Sequence, residues 1–378
     1  MRIAIINRYY PPNQSATGNE AFILAEYLNT NHEIYIFCER GSYHSHLNRE
    51  NTKHAGEIVN VPSVPKSKNA LLRLVYSFLQ SFALVFKARK FNIDFFIVLS
   101  DPPFLPFWSA LLLCKKRMAF WLMDVYPDAF HAGGFVSKDN LLFKMFMKVV
   151  HSCRPELIIG LGKKQIKFVQ SRFDPSTRFI ELIAGIDGPS VEASESIPSW
   201  YQKDLIHFGY IGNLGYAHDI EILKRVIANL DPNKHRFIMS GYGTNFDAFI
   251  SSLSDKPQVI ITSFIPYDQF KYFDIHIVTL KDHWTHISVP SKALTALRYG
   301  LAILFLGNKE SDIWEMTNGA NWHLDNMADQ KEIHLFLDSL DARSITAKKQ
   351  KALDLAATLI SKNSHSREII NNLIEANE

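Results

Sequence analysis

The sequence predicts an α/β protein built from two Rossmann-like, doubly wound domains. Three observations carry this. Short, almost continuously apolar runs of strand length alternate with helix-period segments along nearly the whole chain, as expected of parallel strands covered on both faces. The alternation breaks once, at residues 185–203, GIDGPSVEASESIPSWYQK, a stretch rich in Gly, Pro, Ser and Glu that has no apolar period and reads as an interdomain linker. A length of 378 residues is too great for one comfortable core and suits two domains.

Before the linker the strand candidates are residues 3–7, 33–38, 94–99, 118–123, 157–161 and 179–183, separated by amphipathic segments such as 20–29 and 140–151. After it they are 206–210, 236–239, 258–262, 275–280, 302–306 and 321–324, with helical segments at 219–229 and 291–299. Residues 344–378 read as helix by composition. The expected division is a first domain at 1–188, a second at 189–362, and a C-terminal helix at 363–378 able to return to the first.

Composition narrows the function classes. The chain is 47% hydrophobic and 21% charged, which argues for a folded domain rather than disorder. A net charge of +3 gives no reason to expect nucleic acid as a partner. Cys38, Cys114 and Cys153 lack C-x-x-C spacing and form neither a disulfide framework nor a zinc site, which suits a reducing, cytoplasmic setting. The opening MRIAIINRYY enters a strand at once, without a signal-peptide pattern, and no uncharged apolar run reaches the roughly 18 to 20 residues needed to span a bilayer.

Ligands of open α/β sheets bind outside the carboxyl ends of the strands, so chemistry is sought in those loops, and two such domains facing each other make a cleft from them. The first loop, NRYYPPNQSATGNEAF, brings Gly18 and Asn19 to the start of a helix expected near Glu20, where free N–H groups suit an anion or a sugar hydroxyl. Asp124 and Asp128 follow the 118–123 strand and suit hydroxyl binding or proton transfer, with helix capping as the structural alternative. Asn213 and Gly215 lie in a Gly-rich loop after the first strand of the second domain, with His218 near the next helix start, where an imidazole can meet a phosphate. The strongest local signal is Val289-Pro290-Ser291-Lys292: Pro290 suits a first helical turn, Ser291 can cap, and Lys292 sets a positive charge beside exposed N–H groups, favouring a pyrophosphate. His286 precedes this segment and joins the candidate substrate-binding residues. Its spacing from His283 falls short of a metal site, and there is no D-x-D, so no metal and no cofactor are expected. Gly241-Tyr242-Gly243 reads as a tight strand-to-helix turn.

Residues 66–90 have basic ends around an aromatic-rich middle, and Lys115, Lys116 and Arg117 add charge nearby. Such a helix can lie on the surface of an anionic membrane, so a peripheral position on the inner membrane is expected, with Leu74, Phe78 and Phe82 adding apolar burial if they face outward.

Taken in order, RYYPPNQSATGNEAFILAEYL, FFIVLSDPPFLPFWSALLL, WLMDVYPDAF, YIGNLGYAHDIEIL, ITSFIPYDQFKYF and VPSKALTALRYGLAILF resemble family 4 of the retaining glycosyltransferases, which share the GT-B architecture, and within it the bacterial polysaccharide-assembly branch. The resemblance implies transfer of a sugar from a nucleotide-sugar donor, usually a UDP-sugar, to a glycan or polyprenyl-linked acceptor, with retention and no obligatory metal. It implies that Gly18 faces the diphosphate and reacting sugar, that Asp124 lies near the acceptor or donor hexose, and that Asn213 and His218 fall where many relatives carry Arg and Lys on the diphosphate. It further implies that Ile265 contacts the base through its backbone and that Ser291 and Lys292 hold the diphosphate. The chain departs from the family at Ile287 and Thr295, where many members carry glutamates, the second of them commonly on the ribose. That departure keeps two alternatives in view: a non-catalytic glycan- or partner-binding protein, and a nucleotide-sugar 2-epimerase.

Overall fold

The computed structural model describes residues 1–12, 15–40, 55–65, 67, 69–188, 196–253 and 256–376. Lys66 and linker residues 189–195 lie outside the described residues. The chain divides into one unit of Met1–Ala184 with Lys362–Glu378 and a second of Gly185–Ser361.

The first unit runs β1 (Arg2–Ile6), α1 (Ala16–Leu28), β2 (Glu33–Glu39), β3 (Glu57–Val61), α2 (Ala70–Arg89), β4 (Phe95–Leu99), α3 (Leu105–Leu112), β5 (Met118–Leu122), α4 (Asp128–Ala132), α5 (Leu141–Ser152), β6 (Leu157–Gly160), α6 (Lys163–Gln170) and β7 (Arg178–Glu181). Among the described residues its sheet is seven-stranded, ordered β3-β2-β1-β4-β5-β6-β7, and every pairing is parallel. FFIVL and MAFWL of β4 and β5 are buried at every position, which is why they read as unbroken apolar runs. The strand missing from the sequence reading is β3, EIVNV. It pairs with β2 alone at the sheet edge and alternates buried and open positions, so it carries no long apolar run.

The second unit runs β8 (Ile206–Asn213), α7 (Ile220–Ala228), β9 (His235–Tyr242), α8 (Phe246–Ser251), β10 (Val259–Ile261), β11 (Ile275–Thr279), α9 (Ser291–Arg298), β12 (Ala302–Leu306), α10 (Asp312–Met316), β13 (Asn321–Leu324), α11 (Gln330–Asp338) and α12 (Ala342–Glu375), the last passing into the first unit. Among the described residues its sheet is six-stranded and parallel, ordered β10-β9-β8-β11-β12-β13. Its core gathers Phe208, Tyr210, Ile222, Val226, Phe237, Ile277 and Leu304 with their neighbours. Local chemistry sets the helix starts: Asp219 accepts from the Glu221 and Ile222 N–H groups to cap α7, and Asp329 with Glu332 closes a capping box on α11.

The boundary falls after Ala184 rather than at 188. Gly185, at φ +88°, lies so close to α9 that an added Cβ would sit 2.4 Å from the Ser291 carbonyl oxygen. At Gly188 an added Cβ would sit 2.4 Å from the Arg298 guanidinium. The first linker residues thus belong to the second unit by packing.

The end of α12 is tied into the first unit by a buried asparagine. Asn363 accepts from the Ile183 N–H at 2.8 Å and donates to the Ile183 carbonyl at 2.7 Å, satisfying both backbone groups of a residue just past β7. Asn371 sits 2.8 Å from the His32 ring, and Arg117 donates to the Ile374 carbonyl at 3.0 Å. Asn363→Leu leaves the Ile183 N–H and carbonyl without partners, so a loss of roughly 2 to 6 kcal/mol is expected, at about 1 to 3 kcal/mol for each orphaned group. Urea unfolding of the two proteins side by side measures it.

Candidate functional site

In each sheet the strand order reverses beside the first strand, between β1 and β4 in one and between β8 and β11 in the other. Connections leave such a switch point in opposite directions and open a crevice beyond the carboxyl ends of the strands. Each unit has a polar cluster at that place.

In the second unit β8 and β11 pair at Phe208 with Ile275 and at Gly209 with His276, while β8 continues alongside β9 as far as Asn213. Lys292, on the first turn of α9, reaches the end of β8. Its ammonium donates to the Tyr210 hydroxyl at 2.7 Å and to the Asn213 carbonyl at 2.7 Å, lies 3.2 Å from His218 Nε2, and stands 4.2 Å from the Tyr210 ring centroid. The His218 ring is buried, with Nδ1 2.9 Å from the Thr279 carbonyl. A carbonyl can only accept, so Nδ1 carries the proton and Nε2 offers its lone pair to Lys292. Burial, reinforced by Lys292, holds the His218 pKa well below its ordinary value and keeps the ring neutral. The buried His276 is likewise pushed down to about 3, by burial and then by Lys292. Burial also lowers the Lys292 pKa well below the usual lysine value. None of its three partners carries negative charge.

The neighbouring loops are locked together by close backbone approach. An added Cβ on Gly241 would lie 2.3 Å from the Gly212 carbonyl oxygen, and one on Gly243, at φ +123°, would lie 2.3 Å from Asn213 Oδ1. The Leu214 N–H donates to the Tyr242 carbonyl at 2.7 Å, and Asn245 Nδ2 to the Gly215 carbonyl at 3.4 Å. The G-x-G at 241–243 is therefore a packing turn that sets the Asn213–Gly215 loop.

At the start of α9 the cap residue is Pro290. Ser291 is the first helical residue, so it is not the cap the sequence suggested, and no side chain caps this helix. Its first turn leaves N–H groups without the usual side-chain acceptor. Ile287 is buried, and Thr295 spends its hydroxyl on the Gly185 carbonyl at 2.9 Å. His286 lies in the turn between the short 3₁₀ segment Asp282–Trp284 and Pro290. Among the described residues no three His, Cys, Asp or Glu side chains gather as a metal site. Ile265, past the end of β10, is buried, Phe264 and Tyr267 near it in sequence are exposed, and Tyr267 stacks on Tyr299 with centroids 5.2 Å apart.

In the first unit α1 begins at Ala16, earlier than the sequence suggested, because Ser15 caps it. The Gly18 N–H donates to Ser15 Oγ at 2.9 Å and the Asn19 N–H to the Ser15 carbonyl at 2.9 Å, so neither amide is open to an anion. Gly18 is needed sterically, since an added Cβ would lie 3.0 Å from the Tyr9 carbonyl oxygen. The switch point is occupied instead by Arg8 and Asp101, paired side chain to side chain at 3.2 Å and joined along the backbone at 2.6 Å. Burial is the largest single influence and opposes the Arg8 charge, but Asp101, Tyr9 and Glu39 together outweigh it and leave the guanidinium pKa raised. Asp124 sits half-buried next to this pair, its N–H donating to Ser100 Oγ at 3.1 Å. The buried Tyr126 hydroxyl is raised well above its usual pKa, by burial first and then by Asp124 and Asp101. Asp128 is separate. Its two oxygens accept from Arg172 at 2.6 and 3.2 Å, and its side chain is 5% exposed. Both its carboxylate oxygens are thus held within the fold, which makes it a structural residue and corrects the substrate-binding expectation.

The structure thus brings Asn213, Gly215, His218 and Lys292 together, and separately places Asp124, Asp101 and Arg8 within electrostatic reach of Tyr126. Arg8, Asp101 and Tyr210 were missed from sequence. Arg8 and Asp101 each follow a predicted strand, in NRYYPP and LSDPP, and that position was the available signal.

No protein-family model matches the chain, and no curated protein matches it. Many solved structures do. WaaG, a glycosyltransferase involved in lipopolysaccharide biosynthesis, superposes with a TM-score of 0.66 at 13% identity over 97% of this chain and 99% of its own. Sucrose-phosphate synthase from Thermosynechococcus elongatus gives 0.74 at 10% identity over 100% of both chains. Anabaena HepE, in complex with UDP and glucose, gives 0.66 at 13% identity over 98% of this chain and 100% of its own. The likeness is one of fold: the chain has the GT-B architecture of two Rossmann-like domains.

Asp128→Asn is expected to cost stability rather than substrate affinity. It removes a buried charge from a two-pronged pair whose charged hydrogen bonds are worth roughly 1.5 to 3 kcal/mol. A lowered melting temperature with unchanged KM for donor and acceptor is the expected result.

Proposed function

We propose that this chain is a glycosyltransferase of the retaining family 4, moving a sugar from a nucleotide donor, a UDP-sugar, to a glycan or polyprenyl-linked acceptor in surface-polysaccharide or glycoconjugate synthesis. The observation that carries the reading is the Lys292 ammonium at the β8/β11 switch point, bonded to a phenol, a carbonyl and an imidazole but to no carboxylate. A half-buried cation among neutral acceptors is poorly compensated, and a diphosphate supplies the missing charge. The uncapped first turn of α9 adds N–H groups and the positive end of a helix dipole for the same anion.

In this reading Lys292, Pro290 and Ser291 bring the α9 terminus to the diphosphate, and His218 acts through Lys292 by fixing where its ammonium stands. Asn213 and Gly215 line the approach with backbone groups. The backbone at Ile265, flanked by Phe264 and Tyr267, receives the base. As the sugar–phosphate bond breaks, negative charge grows on the leaving diphosphate, and preplaced donors stabilise that charge without reorganising. The same donors make a metal dispensable. Asp124, with Arg8 and Asp101, offers hydroxyl-binding and charge-orienting groups on the first unit. A non-catalytic binding protein would account for Ile287 and Thr295, but it has no use for an uncompensated lysine at a switch point.

Lys292→Ala should weaken UDP binding about tenfold to a hundredfold, the cost of a charge-assisted hydrogen bond, while the fold survives. Calorimetric titration with UDP measures it, and unchanged affinity removes Lys292 from the site. Because only the protonated amine attracts phosphate, and burial has lowered its pKa, UDP affinity of the wild-type protein should fall as pH rises, at a lower pH than an ordinary lysine would give. Transferase activity should persist in excess EDTA; full loss restored by magnesium or manganese would contradict the metal-free mechanism.

A further inference from the structure

We propose that the face formed by α2, α3 and α5 docks on the surface of an anionic lipid bilayer, without crossing it. The proposal deepens the reading of a lipid-linked acceptor, and it is tested without donor or acceptor.

The three helices carry an open apolar surface. Leu72, Val75, Leu79 and Phe86 recur at helical spacing along α2 and are 44, 45, 52 and 40% exposed. Leu141 and Leu142, at the start of α5, are 79 and 66% exposed. Leu111 of α3 is 47% exposed. An aromatic seam beneath them fixes the three helices to one another. Phe78 lies 4.8 Å from Trp108, Phe82 lies 4.8 Å from the same ring, and Phe104 stacks on Phe146 at 5.6 Å. Trp108 also donates to the Phe78 carbonyl at 3.0 Å. Phe78 and Phe82 therefore face the seam rather than outward, and the outward residues are those one step round the helix. Exposed apolar side chains gathered on three helices that pack on one another mark a surface that meets something apolar.

Charge identifies what it meets. Residues 70–93, 105–117 and 139–152 hold four, three and two Lys or Arg; of these Arg117 is paired with Glu156 at 2.9 Å and Lys144 with Asp139 at 3.6 Å, and Asp94 follows the first range, which leaves the positive charge in excess. Lys87 and Lys90 stand at the C-terminal end of α2, Lys90 lying 4.4 Å from the Phe86 ring. Lys115 and Lys116 follow α3, and Lys144 and Lys148 lie on α5. Apolar side chains bordered by cations match a bilayer whose acyl region lies beneath anionic headgroups. A second copy of the chain is the poorer match, because a two-fold interface sets like patches together and would oppose lysine to lysine.

By length and composition α2 suffices to cross a bilayer. Its opposite face excludes that. Ser77, Gln80, Ser81, Leu84, Val85 and Ala88 are buried, with Gln80 donating to the Pro62 carbonyl at 3.2 Å, and removing α2 would strip the sheet of its cover.

The test is cosedimentation of the full chain with vesicles of phosphatidylglycerol and phosphatidylcholine, or of phosphatidylcholine alone, at low and high salt. Binding to the anionic vesicles that weakens with salt is expected. Lys87→Gln with Lys90→Gln should weaken it about fivefold per charge removed. Leu79→Ser with Leu142→Ser should weaken it roughly tenfold. All four positions are exposed, so melting temperatures and UDP affinity should be unchanged, which separates failure here from failure of the donor reading. Absence of binding to anionic vesicles, or binding that neither double variant alters, overturns the proposal. So does a dimer in sedimentation equilibrium that Leu79→Ser with Leu142→Ser dissolves while vesicle binding is absent, since the patch would then belong to a second copy.

Discussion

Parallel pairing of buried strands is the constraint from which the rest of this molecule follows. In β4, β5, β11 and β12 every residue is buried, so none of these strands has a side chain to spare for a ligand. Parallel neighbours also require crossovers, which lay helices over the sheet. What remains for chemistry is the set of loops at the carboxyl ends, and among them the two places where the strand order reverses. Both are filled with polar groups, but in different ways. At β1/β4 the charges Arg8 and Asp101 neutralise each other. At β8/β11 Lys292 is met, among the described residues, by neutral hydrogen-bond partners.

That contrast is one of charge: an ion pair carries no net charge towards a ligand, while a cation met by neutral acceptors keeps its own. The arrangement around Lys292 depends on a chain of fixed choices. The Thr279 carbonyl decides the His218 tautomer, and the tautomer decides that Nε2 faces Lys292 as an acceptor. The interlocked Gly241 and Gly243 turn holds the Asn213 carbonyl where the ammonium needs it. The helix that carries Lys292 is itself held by the linker, through Gly185 against Ser291 and Thr295. The Thr295 hydroxyl serves this packing contact.

Much of the fold was legible because its signals are local. Twelve of the strands announced themselves as short apolar runs, and the helices as amphipathic segments, since burial on one face or two leaves its period in the sequence. The edge strand β3 was not legible, because one neighbour and one open side leave no such run. At the site, Lys292 stood out through Pro290 and the helix start, and Asn213 and His218 through a Gly-rich loop after a strand.

By itself the sequence determined two doubly wound domains, the approximate break between them, and which loops follow the carboxyl ends of the strands. Only the tertiary structure decided which of several similar residues does what. Asp124 and Asp128 sit four apart in DVYPD, yet Arg172, distant in sequence, takes Asp128 into the fold and leaves Asp124 next to Arg8 and Asp101. Gly18 resembled a ligand-facing glycine until Ser15 claimed its N–H. Phe78 and Leu79 are neighbours in one apolar helix, but Trp108 covers the first and nothing in the unit covers the second to the same degree. The physical reason is common to all three: periodicity reports which face of an element is apolar, whereas a charge, a donor or an exposed ring is assigned by the partner that the folded chain brings to it from elsewhere.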